Sequence, residues 1–182
     1  MIFSEDRVKG PYSETDAKKI FADAGLDWET RKERYETIDE TIWAQVPGKW
    51  WVAYDEKGKP ISSQGIGNFQ GVKLLLGLKS FAEDIGEGHK GYGKGIAKYI
   101  VDRNSDKPML GMAKDGGQYI FPSIGFRKLK FDNTGLLQNE EDLPTEVKSA
   151  LEIGNTNPSL MGIRKLFYLP AASWWILVKG GF

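Results

Sequence analysis

The sequence predicts an α/β domain, and three observations carry that expectation. Two strand-like segments joined by a turn composition occupy Trp50 to Asn68, and apolar residues fall on one helical face at Ala17, Ile20, Phe21 and Ala24 and again at Ile96, Ala97, Ile100 and Val101. Ahead of the second helical face, a glycine-rich loop leads from a strand straight into a helix. At 182 residues the chain has the length of one domain, so a single domain over 1–182 is expected. With 40% hydrophobic and 12% aromatic residues it can build a core, which excludes disorder as the main state.

The elements follow in order. Ser13 with Asp16 three residues on, ahead of the first apolar face and with Gly25 behind it, reads as a capped amphipathic helix. A charged stretch around Trp28 to Tyr35 reads as a short helical turn. Trp50 to Tyr54 is aromatic and β-prone, and Asp55 to Pro60 is a turn, so Ile61 to Asn68 is the partner strand of a hairpin. Gly65 and Gly67 weaken that strand and mark a bulge or a close backbone approach. Val72 to Ile85 reads as one bent strand or two short ones. The helix carrying Ile96 to Val101 ends before Asn104 and Pro108, and Met109 to Ala113 is a short buried strand. Gly116 to Ser123 suits a short helix with Pro122 in its last turn, and Arg127 to Phe131 alternates as a strand. Residues 132–158 are polar and read as an insertion with a small helix from Thr145 to Leu151. Gly162 to Leu169 and Ser173 to Val178 close the chain as strands.

Charge and composition exclude several functions. Lys+Arg 25 balances Asp+Glu 25, which removes the overall field that a general nucleic-acid or anionic-membrane binder relies on. There is no cysteine, hence no disulfide framework, no thiolate metal site and no cysteine nucleophile. The opening residues lack the apolar run of a signal peptide, and Leu166 to Val178, broken by Pro170 and Ser173, is shorter than the roughly 20 residues a spanning helix needs. A cytoplasmic protein with no membrane partner and no metal is the expectation.

The stretch from Ile85 to Ala97 carries the chemistry. Glycines let successive N–H groups turn toward one point, and the unpaired N–H groups and positive dipole end of a following helix favour a phosphate there. Lys90 and Lys94 add charge. The P-loop pattern fails because Lys94 is followed by Gly95, and the dinucleotide fingerprint fails because Ile96 holds the position of its third glycine.

The run Lys90-Gly91-Tyr92-Gly93-Lys94-Gly95 resembles motif A of the GNAT superfamily of acyl-CoA-dependent N-acyltransferases, Q/R-x-x-G-x-G/A. Ile85 stands where that family places an aliphatic residue at a strand end, and Ile124-Gly125-Phe126 resembles the end of its motif B. The resemblance covers roughly Trp50 to Phe131. It implies a mixed, mostly antiparallel central sheet, splayed around an acyl-CoA cleft, with helices on both faces. It also implies transfer of an acetyl or similar acyl group from acetyl-CoA, as acyl donor, to an amine. The backbone from Lys90 through Tyr92, Gly93, Lys94 and Gly95 to Ile96 would hold the pyrophosphate, and the backbone at Ile85 would orient the acyl carbonyl.

An amine attacks only when neutral, so a nearby base must take its proton. Glu83 is the candidate, ahead of Asp84, Glu87 and His89, the chain's single histidine, for which surface exposure is the plainer reading. The tyrosine that many family members place four residues before the Gly-Phe pair is Phe121 here, which leaves Tyr119, another group or water as the acid for the departing thiolate. Two rival readings follow: a catalytically inactive GNAT-fold binding or assembly protein, motivated by Phe121, and a relative of Mom-like phage DNA-modifying proteins, which the zero net charge disfavours. The apolar run Trp174 to Leu177 serves equally as a homodimer interface or as a buried strand.

Overall fold

The computed structural model describes residues 2–28, 48–69, 72–82, 86, 91–114, 117–128, 145 and 172–177. Its first helix, α1 (Glu14–Asp23), starts where the sequence places a cap: the Ser13 hydroxyl oxygen accepts from the Asp16 N–H at 3.1 Å. It stops at Gly25, whose φ of +75° lets Gly25 N–H reach Ala22 O and Leu26 N–H reach Phe21 O, both at 2.9 Å. That pair of bonds satisfies carbonyls the helix end leaves open.

Among the described residues the strands are β1 (Val8–Tyr12), β2 (Gly48–Tyr54), β3 (Pro60–Phe69), β4 (Val72–Ser80), β5 (Met109–Lys114), β6 (Arg127–Lys128) and β7 (Ala172–Leu177). The further helices described are α2 (Tyr92–Asn104) and α3 (Gly117–Ser123). The chain divides into two compact units, one of Met1–Glu36, Gly48–Gly67 and Leu76–Asn104, the other of Thr37–Pro47, Asn68–Leu75 and Ser105–Phe182.

The first unit is built on strands in the order β1-β2-β3-β4. β2 and β3 form the expected antiparallel hairpin, with Trp50 opposite Gly65 and Val52 opposite Ser63. Its turn is held by Asp55, whose carboxylate accepts from the N–H groups of Lys57 and Lys59 at 2.8 Å each. Gly65 is indeed a close approach: a Cβ there would stand 2.5 Å from Cε2 of Trp50. Trp50 thus lies flat on the strand beside it and continues into an aromatic cluster, Trp28 at 5.0 Å, Phe21 at 5.6 Å from Trp28, and Phe81 at 5.1 Å from Phe21. Each of these buried rings contributes about 1.5–3 kcal/mol by leaving water. Strand alternation puts Ser62 on the opposite face from Gly65. There its hydroxyl donates to the Tyr92 carbonyl, so α1 and α2 flank the two faces, and Ile96, Ala97, Ile100 and Val101 bury the face of α2 that their spacing predicts.

Strands of the second unit run β4-β5-β7-β6, with β4 entering through its Val72–Leu75 half. Lys73 to Leu75 pair in parallel with Met109 to Gly111, whereas β5 with β7 and β6 with β7 are antiparallel. The sheet is therefore mixed and mostly antiparallel, as expected. Lys73 also forms an ion pair with Asp106, just ahead of β5, and this ammonium hydrogen bond holds the Asp106 carboxyl below its usual range. The helix α3 ends on a second glycine stop. Gly125 has φ +98°, its N–H reaches Pro122 O at 3.3 Å, Phe126 N–H reaches Phe121 O at 3.0 Å, and the Phe121 and Phe126 rings meet at 4.8 Å.

Several expectations change in detail. Val72 to Ser80 is one strand, and α2 runs through Asn104, whose side-chain amide donates to Ile100 O at 2.8 Å. A short 3-10 turn (Glu5–Arg7) and β1, which the local sequence does not announce, precede α1; β1 pairs with β2 through Val8 opposite Ala53 and Tyr12 opposite Trp50. The short helical turn expected around Trp28 to Tyr35, apart from Trp28, the strand end at Phe131, the insertion at 132–158 apart from Thr145, and the strand from Gly162 to Leu169 lie outside the described residues.

Candidate anion-binding site at the start of α2

The glycine loop enters α2 through Gly91, whose φ of +81° is a left-handed turn that glycine adopts without strain. Nothing lies within 4 Å of where a Cβ on Gly91 would stand, so the backbone there faces open space. Gly86, with φ +74°, is equally open. The first helical hydrogen bond runs from Gly95 N–H to Gly91 O at 2.7 Å. Helix geometry therefore leaves the N–H groups of Tyr92, Gly93 and Lys94 ahead of it without an intrahelical acceptor. No acidic residue occupies this first turn. The donors and the positive end of a 13-residue helix thus present, among the described residues, a site suited to an anion.

The side chains around those donors divide sharply. Lys94 is exposed and extends the positive charge outward. Tyr92 is 1% exposed and Ile96 fully buried, so both side chains belong to the core. The Ser62 hydroxyl fixes the Tyr92 carbonyl from below at 3.2 Å, whereas the Tyr92 hydroxyl is buried with no hydrogen-bond partner among the described residues. Gly95 has a role its motif position does not suggest. The ring of Phe3 rests directly on it, with Cε1 2.6 Å from where a Cβ would stand and Cγ and Cδ1 closer still. Phe3 also meets the Tyr92 ring edge-on, at 6.2 Å and 89°. Sequence reading missed this contact because nothing local to Phe3 announces a partner so distant in the chain.

The remaining candidates are placed as follows. Glu83, Asp84, Ile85, Glu87, His89 and Lys90 lie outside the described residues. Tyr119 is on α3, in the second unit, and is 82% exposed. Phe121 faces inward instead: its Cζ is 2.7 Å from where a Cβ on Gly111 would stand. Among the described residues no group of three or more His, Cys, Asp or Glu side chains is placed to hold a metal ion, and no helix is long and apolar enough to cross a membrane.

No protein-family model and no curated protein matches the chain. Solved structures do. A Mycobacterium tuberculosis protein in complex with CoA and NLQ matches with a TM-score of 0.52 at 14% identity, over 94% of this chain and 98% of that one. N-acetylglutamate synthase from Neisseria gonorrhoeae, complexed with coenzyme A and N-acetyl-glutamate, matches with a TM-score of 0.50 at 13% identity, over 93% of this chain and 34% of that one. A GNAT-family acetyltransferase from Staphylococcus aureus Mu50 matches with a TM-score of 0.46 at 14% identity, over 93% and 97%. What the chain shares with the first two of these proteins is the fold, a GNAT-like mixed, mostly antiparallel sheet with helices.

Proposed function

We propose that this chain is an acyl-CoA-dependent N-acyltransferase, a single GNAT-like domain that passes an acetyl or similar acyl group from acyl-CoA to an amine. The observation that carries the reading is the left-handed turn at Gly91, which opens into α2 with the N–H groups of Tyr92, Gly93 and Lys94 ahead of the first helical bond. Such a turn suits a pyrophosphate, and it occurs here in a fold shared with a protein solved in complex with CoA.

In the proposed reaction the neutral amine attacks the thioester carbonyl, a tetrahedral oxyanion forms, and its collapse expels the CoA thiolate. Backbone donors near Ile85 would stabilise the oxyanion without a covalent enzyme intermediate, so the absence of cysteine is no obstacle. Glu83 is proposed as the base that takes the amine proton. Tyr119, exposed on α3, is the proposed acid for the thiolate, with water as its substitute. A second reading, a GNAT-fold binding or assembly protein without turnover, is supported by Phe121, which occupies the usual tyrosine position as a core ring.

Calorimetric titration with acetyl-CoA and with free CoA tests the binding step. The expected result is saturable micromolar binding that Gly93→Glu abolishes, because a carboxylate placed among the donors repels the pyrophosphate. Binding unchanged in Gly93→Glu removes the site assignment. Amine-dependent release of free CoA thiol, read without background because the protein has no thiol of its own, then separates the two readings.

A further inference from the structure

We infer that Phe3 is a positioning residue for the phosphate-binding turn, so that docking of the Phe3–Arg7 segment and occupancy of that turn by acyl-CoA are coupled. The inference rests on the acyl-CoA reading above. Its starting point is Gly95. Glycine inside a helix weakens it relative to alanine, and the motif position accepts alanine in the family that the sequence resembles. Here alanine is excluded by the chain itself, because its Cβ would fall within the Phe3 ring. The residue is small to admit Phe3, whatever the ligand requires.

Three contacts hold the first turn of α2 in one orientation. The Phe3 ring bears on Gly95 and on the edge of Tyr92, the Ser62 hydroxyl grips the Tyr92 carbonyl, and Gly95 N–H closes onto Gly91 O. Among the described residues the Tyr92 hydroxyl has no hydrogen-bond partner, and its ring packs against that of Phe3. The segment carrying Phe3 is tied down in turn. Arg7 donates through Nε to Tyr54 O at 3.1 Å and through Nη2 to Ile2 O at 2.5 Å, and Glu5 pairs with Arg103 at the far end of α2 at 3.6 Å. The segment therefore clamps both ends of the helix whose first N–H groups face the ligand. Helix ends fray when nothing packs on them, and fraying of this turn would disperse donors that must converge on one anion.

The test is CoA titration of the wild type, Phe3→Ala, Gly95→Ala and the double variant, with the melting temperature of each. S-acetyl-pantetheine, which lacks the pyrophosphate, serves as the second probe by ligand-observed NMR. Phe3→Ala is expected to weaken CoA about tenfold at a temperature where circular dichroism shows it folded, and to leave S-acetyl-pantetheine binding unchanged. Gly95→Ala is expected to lower the melting temperature when Phe3 is present and to raise it when Phe3 is alanine. Unchanged CoA affinity in Phe3→Ala, an equal loss for both probes, or the same effect of Gly95→Ala in both backgrounds overturns the inference while leaving the acyl-CoA reading in place. Failure of the wild type to bind CoA overturns that reading and this inference with it. Should Phe3→Ala not fold, Phe3→Leu is read by the same criteria, since it keeps apolar contact without the ring face.

Discussion

The para carbon of Phe121 lies 2.7 Å from where a Cβ on Gly111 would stand, so the helix α3 meets strand β5 through a ring seated on a glycine. Gly111→Ala is expected to destabilise the protein by about 1–3 kcal/mol through overpacking. Denaturant unfolding checks it: the midpoint falls while the m-value stays constant. Phe121→Tyr places a hydroxyl on that same para carbon, in a site already filled. It is expected to cost stability without raising the rate of the proposed acyl transfer; a faster rate would show that the ring can leave Gly111 and face a ligand.

Removing the Tyr92 hydroxyl should cost nothing. Among the described residues it is a buried donor without a partner, and deleting such a group relieves a desolvation penalty. Tyr92→Phe is expected to melt at or above the wild-type temperature and to bind CoA equally well, since the group of Tyr92 proposed to meet the ligand is its backbone N–H. A loss of more than about 1 kcal/mol would point to a partner for that hydroxyl in solution.

Gly125→Ala tests the stop after α3. At φ +98° a side chain is strained, and the turn it makes brings Phe126 N–H to Phe121 O and the two rings together. The expected loss is about 1–2 kcal/mol, read as a lowered denaturation midpoint. The aliphatic-Gly-Phe trio thus has a structural meaning of its own, as a helix terminator with a ring contact.

The Lys73–Asp106 pair predicts the form of an acid limb. The Lys73 ammonium lowers the Asp106 pKa in the folded state, so the pair's contribution is complete above the unfolded carboxylate value of about 4 and is lost as pH falls through the lower folded value. Asp106→Asn should flatten stability against pH below about pH 4 while leaving the slope near neutrality unchanged. An identical acid limb in both proteins would mean the exposed Asp106 gains nothing from its partner.

Much of the fold was legible because its determinants are local. Ser13 and Asp16 are close enough in sequence for a cap to be read directly, Asp55 to Pro60 is a turn by composition, and a glycine run before a helical face announces an open helix start. The β1 strand was not legible, because Val8–Tyr12 contains Gly10 and Pro11 and becomes a strand only by pairing with β2. Tyr119 and Phe121 show the same limit on a helix: composition cannot say which of two aromatic residues faces inward, and contact with Gly111 decides it.

Residues close in sequence thus determined, unaided, the caps, the hairpin and the glycine turn into α2, since each depends on hydrogen bonds within a few residues. Why Gly65 and Gly95 must be glycine, and which aromatic ring rests on each, was decided only by the tertiary structure. Those positions are set by Trp50 and Phe3, which are distant along the chain, and by the volume their rings require once folding brings them together.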